Sequence, residues 1–177
     1  EIQCSDFMKN YLVFFSIIVF AAVFIFFINF NVVHSKVLLI EDVEKNSTHS
    51  IIVPQGKFTL SYIHSVQKTP VYEHFEIDEQ NQLILVETSF SSLGVGLPYT
   101  EENGTFHNSH GEFQITGLNR KFDAIPIRVS PIPKHTIIVE DKSFPLLSYA
   151  ASDDLVKITA ADRWMLVRRN QISLGKE

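Results

Sequence analysis

The chain is 177 residues long and carries 15 Lys plus Arg against 20 Asp plus Glu, a formal net charge of -5 at pH 7. With no basic patch interleaved with aromatics, that balance sets nucleic acid aside as a partner. A lone cysteine, Cys4, leaves no material for a disulfide framework or a four-thiolate zinc site.

Apolar residues are unevenly spread. Tyr11 to Phe30, YLVFFSIIVFAAVFIFFINF, has no charge, holds seven of the 15 Phe, and has only Ser16 and Asn29 as strongly polar residues. At ~1.5 Å per residue it reaches ~30 Å, the thickness of a bilayer's hydrocarbon core. A cleaved signal peptide has an apolar stretch of ~7 to 15 residues closed by a small-x-small site. Phe26, Phe27, Ile28, Asn29 and Phe30 stand at that place instead. The expectation is an uncleaved, single-pass anchor in the cell membrane, with the lipid bilayer as its partner. Met8 and Lys9 read as a natural start, which makes Glu1 to Phe7 an upstream extension. Lys9 and the α-amine then form a positive flank that keeps the N-terminus cytoplasmic and sends the rest to the extracytoplasmic side. The expected organisation is a short cytoplasmic N-terminus over 1–10, a transmembrane anchor over 11–33, an extracytoplasmic all-β domain over 34–160 and a tail over 161–177.

Roughly 145 residues follow the anchor, enough for one domain with its own core. Lys36 to Ile40 and Ser50 to Val53 are short apolar runs rich in β-formers, and Pro54-Gln55-Gly56 is a turn. Leu83 to Phe90 follows the next two runs at turn distance. Tyr99 to Gly111 is rich in Gly, Asn, Ser and His and is expected to be a long surface loop. β-like runs return at Glu112 to Thr116, Phe122 to Ser130, His135 to Glu140 and Leu155 to Thr159. Pro126, Pro131 and Pro133 would each remove a ladder hydrogen bond, which marks the Phe122 segment as an edge strand or a bent one. No segment after the anchor sustains a helical period. The fold expected is all-β, an antiparallel sandwich or barrel-like domain preceded by one transmembrane helix. Arg163 to Arg169, RWMLVRR, is left open between a last strand and a peripheral element.

Phe58 to Ile77, FTLSYIHSVQKTPVYEHFEI, reads as a β-hairpin with ionisable residues on its apolar face. Alternation puts Phe58, Leu60, Tyr62, His64 and Val66 on one side, and Val71, Glu73, Phe75 and Ile77 on one side of the returning strand. With Gln67 to Pro70 as the loop, Val66 faces Val71 and His64 faces Glu73. Such a pair either fixes register as a satisfied polar contact or lines a pocket for a ligand, a proton or a metal. Ser65 points to the opposite face, which argues against a Ser-His nucleophile here. His135 opens HTIIVE on the apolar side of its own strand and can reach the same interior. His64, Glu73 and His135 are acceptable zinc ligands in type, without a local spacing signature. His107 and His110 sit in the polar loop. Gly94-Val95-Gly96-Leu97-Pro98 is a tight turn, or a turn whose N–H groups face an anion. Arg120 enters a strand after Gly117-Leu118-Asn119 and has the chemistry to clamp a carboxylate. Asn46-Ser47-Thr48 and Asn103-Gly104-Thr105 match the glycosylation sequon.

YIHSVQKTPVYE, then FSSLGVGLP, then GLNR and a later strand opening at His135, together resemble the bacterial domain of unknown function 1850 family. The resemblance runs in one order over most of Lys36 to Thr159. It implies a small, exported, often membrane-anchored protein, of a kind frequently encoded beside TAXI-type TRAP transporters for organic acids. It also implies that Tyr62, His64, Ser65, Glu73, Gly94, Gly96, Pro98, Arg120 and His135 are the characteristic positions.

The leading expectation is therefore a non-catalytic, membrane-anchored β-domain that binds a small organic acid or assists a TRAP-type permease or its solute receptor. Those nine residues are its candidate ligand-binding set, with no catalytic residue, metal ligand or cofactor assigned. One alternative is a hydrolase or isomerase using His64 and Glu73 as an acid-base pair, with zinc as an option. Another is a structural assembly factor whose transmembrane helix packs against a membrane partner.

Overall fold

The computed structural model describes residues 2–91, 104–109 and 111–168. The described residues divide into two compact units, one drawn from residues 2–34 and 164–168, the other from residues 35–163.

The first unit is built on helix α1, Ile2–Asn29. Its span Leu12–Asn29 is long and apolar enough to cross a membrane, and none of it is buried against protein. Its two polar side chains bond back to the helix: Ser16 Oγ donates to Val13 O at 2.8 Å, and one N–H of Asn29 Nδ2 donates to Ile25 O at 2.7 Å. Strand β1, Phe30–Asp42, begins at the residue after the helix.

The second unit is a sandwich of two antiparallel sheets. The remaining strands are β2 (Ser47–Val53), β3 (Lys57–Ile63), β4 (Pro70–Ile77), β5 (Leu83–Phe90), β6 (Thr105–Ser109) and β7 (Glu112–Phe122). They continue with β8 (Ile125–Arg128), β9 (Thr136–Val139), β10 (Lys142–Pro145) and β11 (Leu155–Arg168). The small sheet runs β2-β1-β11-β8 and the large one β10-β9-β3-β4-β5-β7-β6. Leu38, Ile40, Val53, Val156 and Ile158 from the small sheet form one cluster with Phe58, Leu60, Val71, Leu83 and Ile137 from the large one, none more than 4% exposed. Each such side chain contributes about 1.5–3 kcal/mol by leaving water. The all-β expectation holds.

The prolines behave as their missing N–H requires. Pro126 lies in β8 at the edge of the small sheet, Pro145 in β10 at the edge of the large one, and Pro70 is the first residue of β4. Two features differ from the sequence reading. Thr105–Ser109, expected within a loop, pairs with Glu112–Thr116 as β6, which leaves only a short connection to β7. Lys142–Pro145 pairs with Thr136–Val139. Of the two readings left open for Arg163 to Arg169, the described part, to Arg168, takes that of a last strand as the end of β11.

Candidate functional site

The β3–β4 hairpin closes earlier than alternation suggests. Its register pairs Tyr62 with Val71 and Leu60 with Glu73, and β3 ends at Ile63, whose N–H donates to Pro133 O at 2.7 Å. The loop is therefore His64 to Thr69, and the expected His64–Glu73 pair does not form. Loop closure itself occupies His64. Its N–H donates to Thr69 O and its carbonyl accepts from Lys68 N, both at 2.9 Å. Its Nδ1 accepts long bonds from Gln67 N at 3.3 Å and Val66 N at 3.4 Å. Lys68, at φ +56°, supplies the left-handed residue that turns the chain back. Val66, expected to face Val71, is 66% exposed. Ser65 is an exposed turn residue.

Glu73 nevertheless faces inward. The register is four residues from the expected one, and an even shift preserves the face. Across the large sheet Glu73 stands in an inward row of Ile137, Leu60, Glu73, Thr88 and Ile115. Every member except Glu73 is at most 5% exposed. The carboxylate finds its partner on the diagonal, where Tyr62 Oη donates to Glu73 Oε1 at 3.3 Å. On its other side the Tyr62 ring lies 5.6 Å from the His135 ring, tilted by 43°. His135 immediately precedes β9, on the opposite side of β3 from β4. The central strand thus places one phenol between a carboxyl and an imidazole.

Burial biases all three groups toward their neutral forms. It raises the Glu73 carboxyl above its ordinary value, against the smaller opposing effect of the Tyr62 hydrogen bond. At 3.3 Å that bond is long for O–H···O and does not overturn desolvation. The Tyr62 phenol is raised by burial first and by the neighbouring Glu73 charge second. Burial lowers His135, whose Nδ1 is shielded from solvent and has no hydrogen-bond partner among the described residues. A buried, unpaired ring nitrogen costs about 1–3 kcal/mol and is a natural point of attachment for a ligand atom. What assembles is a donor–acceptor set in which burial works against the charged form of each member.

The other candidates are dispersed. Arg120 pairs with Leu85 on the ladder, and no hydrogen bond or ion pair links it to Tyr62, Glu73 or His135 among the described residues. Gly94, Gly96 and Pro98 lie outside the described residues, as does His110. His107 is an exposed β6 residue whose Nε2 lies 3.3 Å from Thr116 Oγ1. No group of three or more His, Cys, Asp or Glu is arranged to hold a metal ion among the described residues. The zinc set of His64, Glu73 and His135 is therefore not gathered.

Two features escape sequence reading. Thr88 is 3% exposed beside Glu73 because a bulge between Leu85 and Glu87 switches the face on which later β5 residues lie. On the outer face Thr59 Oγ1 lies 2.9 Å from His74 Nδ1, His74 Nε2 lies 3.7 Å from Glu87 Oε1, and Gln114 donates to the same carboxylate oxygen. An open groove of about 350 Å³ adjoins that row, with Lys57, Thr59, His74 and Glu140 among its walls. Thr59, His74 and Glu87 carry no spacing signature, and only strand pairing brings them together.

A family model described as "Domain of unknown function (DUF1850)" matches residues 58–146. That span takes in Tyr62, Glu73 and His135 and almost all of the large sheet, and leaves out α1, β1, β2 and β11. No curated protein and no solved structure matches the chain.

Proposed function

We propose that this chain, which belongs to the DUF1850 family, is a membrane-anchored, extracytoplasmic β-domain that binds a small organic acid through Tyr62, Glu73 and His135. One observation carries the reading: Tyr62 touches both a half-buried carboxyl raised by burial and an imidazole whose Nδ1 is buried without a hydrogen-bond partner among the described residues. A carboxylic acid fits such a set because it donates and accepts at once. Glu73 in its protonated form donates to the carbonyl oxygen of the ligand's carboxyl, Tyr62 turns its one O–H from Glu73 to the same oxygen, and His135 Nδ1 accepts the ligand's own O–H. Arg120 stands apart from this set, so charge neutralisation falls to the proton. The domain's role as accessory to a TRAP-type permease or its solute receptor is part of the same proposal, supported by the family resemblance and by the apolar helix that would hold the domain at a membrane.

The test is a titration of the full chain in micelles with mono- and dicarboxylic acids, followed by the shifts of His135 ring nitrogens and Glu73 carboxyl carbon. Binding that strengthens as pH falls, and that Glu73→Ala abolishes, is expected. No shift at either residue for any acid overturns the proposal.

A further inference from the structure

The unit that contains α1 also contains Phe30 to His34 of β1 and Trp164 to Arg168 of β11. These two segments meet as neighbouring antiparallel strands through their side chains. The Arg168 guanidinium carbon lies 5.8 Å above the Phe30 ring, and the Trp164 and His34 rings lie 4.7 Å apart. The same spacing puts Leu166 opposite Val32. One face of the ribbon therefore gathers a tryptophan, an arginine, an imidazole, a phenylalanine and two aliphatic side chains. That face is open: Trp164 is 71% exposed, Val32 65% and Leu166 51%. In water such a cluster is unfavourable, at ~25 cal/mol for each Å² of apolar surface left uncovered.

Position along the chain identifies what covers it. The apolar span ends at Asn29 and the ribbon begins at Phe30, whose ring stacks on Phe26 of the helix at 5.0 Å. At ~3.3 Å per residue in a strand, Phe30 to His34 extends at most ~13 Å from the helix end. The polar layer of each leaflet is ~5–8 Å deep, so the start of the ribbon lies within it whatever its tilt. Tryptophan and arginine on an amphipathic surface are the residues that settle at that depth, with an apolar body toward the acyl chains and a polar tip toward water and phosphate.

We propose that the face formed by Phe30, Val32, His34, Trp164, Leu166 and Arg168 beds into the phospholipid headgroup layer, with Arg168 meeting lipid phosphate and Trp164 at the glycerol level. The proposal rests on the helix being a retained membrane anchor. It gives the ribbon a second attachment to the bilayer beside the helix.

Trp164 is the only tryptophan of the chain, so its emission reports on this face alone. The full chain is reconstituted in phosphatidylcholine vesicles carrying lipids brominated near the headgroup end of the acyl chain or near its terminal methyl. The expected result is blue-shifted emission, lost more with the shallow bromines than with the deep ones, and shielded from aqueous iodide. Arg168→Glu is expected to weaken the shallow quenching while the chain stays with the vesicles. Protein that withstands an alkaline wash of the vesicles, but whose Trp164 is quenched freely by iodide and not by bromolipid, overturns this inference and leaves the anchor standing. Protein that the wash removes overturns both.

Discussion

Tyr62 Oη donates to Glu73 Oε1 at 3.3 Å across a diagonal of the β3–β4 ladder, so the carboxyl's partner is a phenol on β3 and not the histidine that alternation pairs with it. That bond favours the carboxylate and opposes the desolvation that raises Glu73. Tyr62→Phe removes the donor and keeps the ring beside His135. The Glu73 carboxyl is expected to titrate still higher in this variant, read from its carbon shift against pH, and stability is expected to fall by about 1 kcal/mol. A carboxyl that titrates lower would show that the phenol disfavours the charged form.

The two raised and lowered groups leave opposite marks on stability. Glu73 lies above its unfolded value of 4.5, so its contribution is fully present below pH 4.5 and is lost as pH rises through the folded value. His135 lies below its unfolded value of 6.5, so its contribution is present above pH 6.5 and is lost as pH falls through the folded value. Thermal unfolding across this range is expected to show Glu73→Gln gaining on the parent as pH rises from 4.5. His135→Phe, which retains a ring against Tyr62, is expected to gain on it below pH 6.5. Parallel curves for parent and both variants would remove the assignment.

Why Glu73 was legible as an inward carboxyl while its partner was not follows from the hairpin's geometry. Alternation reports a face, and the difference between Val66 and Tyr62 opposite Val71 is an even number of residues, which leaves the face unchanged. Register depends on where the loop begins. That is decided by Lys68 in the left-handed region and by Pro133 O capping Ile63, a contact between residues 70 positions apart in sequence. His135 was legible for the same reason as Glu73, from alternation in HTIIVE. Thr88 was hidden by the bulge after Leu85, which inserts one residue into an otherwise regular period. β6 was hidden because an exposed strand of Thr, Phe, His, Asn and Ser has no apolar face to alternate. The helix and the two-sheet core were open to reading because both rest on burial patterns that are local in the chain.

Asp42 is the one acidic residue buried among the described residues, with its side chain 1% exposed, and Lys45 answers it twice. Lys45 N donates to Asp42 Oδ1 at 3.1 Å and Lys45 Nζ to Asp42 Oδ2 at 3.0 Å, and the same ammonium also pairs with Asp154. Lys45 and the Ala151 N–H hold Asp154 below its ordinary value, so its contribution is present above pH 3.8 and is lost as pH falls through the folded value. Asp42→Ala is expected to cost about 1–2 kcal/mol in denaturant unfolding. Lys45→Met is expected to move the acid limb of the stability curve to higher pH, and an unmoved limb would exclude the bridge.

Leu146 links the core to the site. It is fully buried in the short 3-10 turn Leu146–Ser148, and its N–H donates to His135 O at 2.9 Å. Leu146→Ala keeps that backbone bond and removes a side chain of the buried core cluster, so a cavity opens there at a cost of about 2–5 kcal/mol. Because burial is what lowers His135, loosened packing around its carbonyl is expected to let the imidazole recover toward 6.5, measured by ring-proton shifts against pH. Leu146→Met conserves volume, is expected to cost less than about 1.5 kcal/mol, and should leave His135 where it is. If Leu146→Ala destabilises the chain and His135 still titrates as in the parent, the imidazole owes its shift to Tyr62 and the β3 side of the site, and the 3-10 turn serves stability alone.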